Sequence, residues 1–131
     1  MALIQRTLQI MGRNFSVFGD QFDQTFLTTA NPCIQHDALF GLVGTPRVIL
    51  DVGANIGLFS IAAHVAFPGA KITAVEPSPV VLPALQRNTG SFAEIVNGAL
   101  GETAGQMLFN PGGPMNVDRS GGAHLMNDAH W

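Results

Sequence analysis

The run Val48-Ile49-Leu50-Asp51-Val52-Gly53-Ala54-Asn55-Ile56-Gly57-Leu58-Phe59-Ser60 restricts what this chain can fold into more than any other stretch. Val48, Ile49 and Leu50 follow one another without polar alternation, which predicts a short central parallel strand covered on both faces. Gly53 and Gly57 then break the strand, because a residue without Cβ turns tightly and lets backbone approach a ligand. A helix opening near Ile56 would direct its free N–H groups toward that loop. Strand, glycine loop and helix N-terminus in this order predict a polar ligand at the strand tip.

The following strand narrows the ligand. Lys71-Ile72-Thr73-Ala74-Val75 ends in Glu76, and Pro77-Ser78-Pro79 breaks any helix there. An acid at the tip of the second strand, roughly twenty residues beyond a glycine loop, is placed to accept from both hydroxyls of a ribose in Rossmann-like sheets. A dinucleotide pyrophosphate asks for G-x-G-x-x-G, and Ala54 and Asn55 stand where glycine is wanted, so nicotinamide cofactors are disfavoured. Blander explanations exist for each residue alone. The glycines suit an ordinary turn, Asp51 suits a helix macrodipole, and Glu76 suits a solvated strand end.

Asp51-Val52-Gly53-Ala54-Asn55-Ile56-Gly57 followed by Val75-Glu76-Pro77-Ser78 resembles the S-adenosylmethionine-binding half of the FkbM-type methyltransferases. The resemblance extends more loosely from about Thr7 to about Phe109. It implies an α/β fold, a partial Rossmann-like class I methyltransferase sheet with an N-terminal β-hairpin. It also implies S-adenosylmethionine as cofactor, with Asp51, Gly53, Ala54, Asn55 and Gly57 on its methionine and ribose side and Glu76 on the ribose hydroxyls. A third stretch, Ile95-Val96-Asn97-Gly98-Ala99-Leu100-Gly101, falls where the family brings the next strand edge against the adenine. Asn97, Ala99 and Leu100 are the candidates there, although an apolar strand ending at Asn-Gly is also an ordinary turn. The family's later acidic motif of the form D-x-E-G has no match after Leu100, and Asp118 and Asp128 sit in other contexts. The chain therefore resembles a cofactor-binding half whose acceptor pocket is lost or lies on another polypeptide.

Around this centre the periodicity predicts the remaining elements. Thr7–Met11 and Asn14–Phe18 alternate about Gly12-Arg13, the pattern of a hairpin. Cys33–Val43 is a helical piece ending at Gly44-Thr45-Pro46, and Ile56–Phe67 is a helix apolar nearly all round, stopped by Pro68-Gly69. Pro79–Asn88 predicts a second helix with Val81, Leu82 and Leu85 toward the sheet, and Ala93–Val96 a third strand. Met107-Leu108-Phe109 is a candidate edge strand. The organisation is thus 1–30 as hairpin and lead-in, 31–109 as cofactor-binding half-domain, and 110–131 as a loop-rich tail. Strand and helix alternate, which argues for a parallel sheet with right-handed crossovers.

Composition excludes other classes. With 47% apolar and 11% charged residues the chain has enough apolar material for a core, and long disordered tracts are not expected. Six dispersed basic residues and a net charge of −3 make no stripe for phosphates, so nucleic acid is not expected as a partner. No stretch approaches the roughly eighteen apolar residues of a membrane span, and no leader is recognised, so a cytoplasmic protein without membrane contact is expected. Cys33 is solitary and the histidines His36, His64, His124 and His130 lack ligand spacing, so no metal is expected.

The resemblance implies direct transfer of a sulfonium methyl to the hydroxyl of a small molecule or sugar. No general base is assignable from these residues. Two alternatives stand beside it. One is a non-catalytic remnant that at most binds cofactor, with a dimer or complementing polypeptide covering its sheet edge. The other is a nicotinamide-dinucleotide-binding Rossmann-like protein, kept because fold alone does not determine function.

Overall fold

The computed structural model of the chain describes residues 3–20, 40, 41, 43–110 and 124–126. Element order is β1 (Leu3–Ile10), β2 (Arg13–Asp20), β3 (Val48–Val52), α1 (Leu58–Ala66), β4 (Lys71–Val75), α2 (Leu82–Thr89), β5 (Ala93–Val96), β6 (Leu108–Asn110) and β7 (His124–Met126). The fold is α/β and Rossmann-like: β3, β4 and β5 form a parallel sheet in that order, joined through α1 and α2. The helix expected over Cys33–Val43 lies outside the described residues except at Phe40, Gly41 and Val43, as does most of the expected tail.

The hairpin forms one step earlier than its alternation suggested. Met11 and Gly12 both have positive φ, 51° and 74°, the pair that a two-residue turn matched to strand twist requires, and Arg13 already pairs with Ile10. Asn88 ties the hairpin to the helical layer. Its Nδ2 donates to the carbonyls of Phe18 and Ile56, while its Oδ1 accepts from the Phe18 N–H at 2.8 Å. The Arg87 guanidinium lies 4.2 Å from the centroid of the Phe18 ring, a cation–π contact at the same seam. Leu8, Ile10 and Val17 of the hairpin thus share one buried cluster with Ile56, Ile61–Ala63, Ile72, Val81 and Ala84.

Both helices start later than the periodicity predicted. Asn55 and Gly57 have φ of 52° and 91°, so neither can occupy a right-handed helical turn, and α1 waits until Leu58. Pro83 sets the start of α2. Begun at Pro79, the helix would hold a proline in its interior, whereas beginning at Leu82 puts Pro83 in the first turn, where a missing N–H breaks no bond.

Coverage of β3 on both faces is another expectation the structure corrects. Ile49, Asp51, Ile72 and Ala74 share the face under the helices, and register places Asp51 opposite Ala74 and Ile49 opposite Ile72. The intervening residues point the other way, and Val48, Leu50 and Val52 remain 70%, 54% and 49% exposed. An unbroken apolar run reports only that both faces are apolar. Which face receives a layer depends on what packs there. Among the described residues, β3 also lies at a sheet edge rather than at its centre. The candidate edge strand at Met107–Phe109 corrects similarly. Leu108–Asn110 pairs antiparallel with His124–Met126 in a separate sheet, so the region predicted to be loop contributes a strand, too short for its periodicity to register.

Candidate functional site

The carboxyl ends of β3, β4 and β5 meet in one hydrogen-bonded cluster, the position where open α/β sheets take their ligands. Two N–H groups of the glycine loop, those of Gly53 and Ala54, donate to the Val75 carbonyl at the end of β4. The Gly57 N–H donates to the Ala54 carbonyl at 2.8 Å, closing the loop before α1 starts. From the other side, the Glu76 N–H donates to Val96, Gly98 N–H donates back to Glu76, and Asn97 Nδ2 donates to the carbonyls of Glu76 and Pro77.

Glu76 is the centre of this cluster. Its Oε2 accepts from the Asn55 N–H and its Oε1 from the Ser78 N–H, each at 2.8 Å. Two backbone donors therefore fix the carboxylate in one orientation while each oxygen keeps a further acceptor site. That arrangement suits a donor pair such as the vicinal hydroxyls of a ribose.

The two glycines do different work. A Cβ on Gly53 would meet no atom within 4 Å, so the backbone there borders open space. A Cβ on Gly57 would instead collide with Thr89 Cγ2 and touch Leu85 Cδ1 at 3.0 Å, because α2 packs directly over the start of α1. Gly57 is thus required by helix packing as well as by its positive φ.

The Asp51 carboxylate reaches α1. Its Oδ2 accepts from Ser60 Oγ at 2.6 Å, and it also accepts from the Ser60 backbone. Ser60 is the third helical residue, and Gly57 at the cap has no side chain to satisfy the first-turn N–H groups. The strand carboxylate supplies that acceptor. Burial pushes the Asp51 carboxyl above its ordinary value of 3.8, while the hydrogen bonds from Ser60 pull it down.

An acid with a raised folded pKa holds its proton more tightly when folded. Stability is then greatest at and below the unfolded pKa, and it falls as pH rises toward the folded value. Asp51→Asn retains an oxygen for Ser60 without the buried charge. Urea midpoints followed from about pH 4 to 7 should show the wild type losing stability relative to this variant as pH rises. Parallel curves would show that Ser60 offsets burial completely.

Of the expected site residues, hydrogen bonds bring together Gly53, Ala54, Asn55, Gly57, Glu76 and Asn97. Ala99 and Leu100 follow on the same segment and are exposed. Two residues of the cluster were not among those expected. Ser78 was legible only as part of a proline-flanked breaker, because its bond to the Glu76 carboxylate is made by its backbone N–H, and Asn88 only as a helix stop, because its partners are backbone groups remote in sequence. A cleft of about 480 Å³ between Thr45–Arg47 and Ala66–Lys71 lies at the amino ends of β3 and β4, the far end of the sheet from this cluster. No group of metal-ligating side chains occurs among the described residues, and no helix among them is long and apolar enough to cross a membrane.

No family model matches the chain. The 31-O-demethyl-FK506 methyltransferase FkbM of Streptomyces tacrolimicus is 51% identical over 41 residues, which cover 31% of this chain and 16% of that protein. Methyltransferase sdnD of Sordaria araneosa is 55% identical over 40 residues, covering 30% of this chain and 15% of that protein. A solved SAM-dependent methyltransferase from Agrobacterium tumefaciens superimposes on 72% of this chain and 32% of its own, with 17% identity and a TM-score of 0.47. The chain spans about one sixth of the length of the curated relatives it matches. Over a segment of about 40 residues the chain is thus similar to two methyltransferases, FkbM and sdnD, with about half of the matched residues identical, and it corresponds to part of their length.

Proposed function

We propose that the chain binds S-adenosylmethionine at the carboxyl ends of β3–β5 and serves O-methylation of a small-molecule or sugar hydroxyl. The observation that carries the binding is the Glu76 carboxylate, held by two backbone N–H groups with an acceptor site left on each oxygen. The residues fit the cofactor in two further respects. Gly53 borders open space, and Asn55 Oδ1 is buried without a hydrogen-bond partner. When bound, the cofactor supplies the activated methyl group.

The chain's own part is binding and orientation. Glu76 accepts from the ribose hydroxyls, the glycine loop lets backbone lie close to the ligand, and Asn55 Oδ1 accepts from a donor on its methionine side. Asn97 holds the third strand end against Glu76, which shapes the edge offered to the adenine beside Ala99 and Leu100. Asp51 supports the loop from beneath by capping α1. Alignment of acceptor and methyl group, rather than a strong base, is the larger contribution the protein makes to such a displacement.

A second reading, cofactor binding without turnover, is favoured by the exposed face of β3. Transfer requires an acceptor enclosed from water, and the described residues wall only one side of the sheet. Isothermal titration with S-adenosylhomocysteine tests the binding that both readings share. Micromolar affinity is expected, and absence of binding by a folded chain would overturn both. Formation of S-adenosylhomocysteine from S-adenosylmethionine in the presence of hydroxyl acceptors separates the two.

A further inference from the structure

Ser78 is 1% exposed, and its Oγ has no hydrogen-bond partner. A buried hydroxyl without a partner is costly, and native structures rarely keep one without a use. The ordinary use of a serine just before a helix is as its cap. Here α2 begins at Leu82, the cap position is Val81, and no side chain caps it. The local turn does not need the hydroxyl either, because the Ser78 backbone N–H alone makes the bond to Glu76 Oε1.

That backbone bond places Ser78 beside the carboxylate. Ser78 is held at Oε1 of Glu76 by its backbone just as Asn55 is held at Oε2, so each carboxylate oxygen is bonded to a residue whose side chain carries an orphaned polar atom. A hydroxyl donates one proton and can still accept. A ligand hydroxyl that gives its proton to Oε1 therefore presents free lone pairs beside Ser78.

We propose that Ser78 is a ligand-binding residue whose Oγ–H donates to the ribose hydroxyl bound at Glu76 Oε1. The inference rests on the cofactor reading above and deepens it. It makes the two ribose hydroxyls inequivalent, since only the one on Oε1 gains a second protein partner. The site thereby reads one position of the sugar more stringently than a lone carboxylate would.

The test is calorimetric titration of the wild type and Ser78→Ala with S-adenosylhomocysteine and with its 2′-deoxy and 3′-deoxy analogues, thermal unfolding confirming that each protein is folded. The variant is expected to bind S-adenosylhomocysteine about three- to tenfold more weakly, the worth of one neutral hydrogen bond. The same penalty should persist with one deoxy analogue and vanish with the other, the one lacking the hydroxyl on Oε1. Unchanged affinity for all the ligands, or an equal loss for all of them, would overturn the proposal and leave Ser78 as packing. A folded wild type that does not bind S-adenosylhomocysteine would overturn the cofactor reading itself, a failure visible before any variant is compared.

Discussion

Glu76→Ala is expected to weaken S-adenosylhomocysteine binding by about two orders of magnitude or more. The proposed contact comprises two hydrogen bonds to a carboxylate, each worth roughly 1.5–3 kcal/mol, and about 1.4 kcal/mol is a factor of ten in affinity. A second loss adds to the first. Without the carboxylate, the N–H groups of Asn55 and Ser78 lose their acceptor, so the glycine loop and the turn after β4 are joined only through the Val75 carbonyl. Glu76→Gln should fall between the two proteins, because its one amide oxygen can replace only one of the two acceptors. Titration calorimetry of the three proteins decides the matter. Wild-type affinity in Glu76→Ala would reduce the carboxylate to a loop fastener and remove the main support for the proposed function.

Gly57→Ala is expected to destabilise the fold by roughly 2–5 kcal/mol. Left-handed backbone costs a residue with Cβ about 1–2 kcal/mol. Overpacking against Thr89 and Leu85 adds roughly 1–3 kcal/mol, since α2 cannot recede without opening the core. Against a total stability of about 5–15 kcal/mol, such a sum is enough to populate the unfolded state. Gly53→Ala is the contrast. Its φ of 77° carries the backbone strain alone, because its Cβ meets nothing. Urea unfolding should therefore separate the two variants by the overpacking contribution. Titration should reverse their order relative to stability, with Gly53→Ala losing ligand affinity while remaining folded. Equal stability of the two would show that α2 can shift away from Gly57 at little cost.

These two glycines show where sequence reasoning stopped. Both were legible as turn residues from the strand that precedes them and the helix that follows. Their division of labour was not, because it depends on Leu85 and Thr89 of a helix nearly thirty residues away, approximated only once the sheet has formed. Asp51 shows the same limit. As a motif residue it reads as a cofactor contact, and spacing alone does not reveal that its carboxylate also reaches Ser60 across the strand-to-helix turn. Asn88 is the clearest instance. It was visible as a helix stop, whereas its amide joins the hairpin to the glycine loop through three hydrogen bonds to distant backbone.

What the sequence by itself determined is the local order of elements and the chemistry of the strand tips. Alternation, glycine, proline and a strand-end acid act within a few residues of where they stand, so the hairpin, the β3–loop–α1 unit, the second and third strands and Glu76 follow from short-range rules. Only the tertiary structure decided which face of β3 is covered, that β6 pairs with β7 rather than with the parallel sheet, and which polar atoms the core leaves unpartnered. Each of those is settled by groups far apart in the chain, whose contacts exist only after the helices dock. An apolar strand has the same pattern whether a layer lies over it or not.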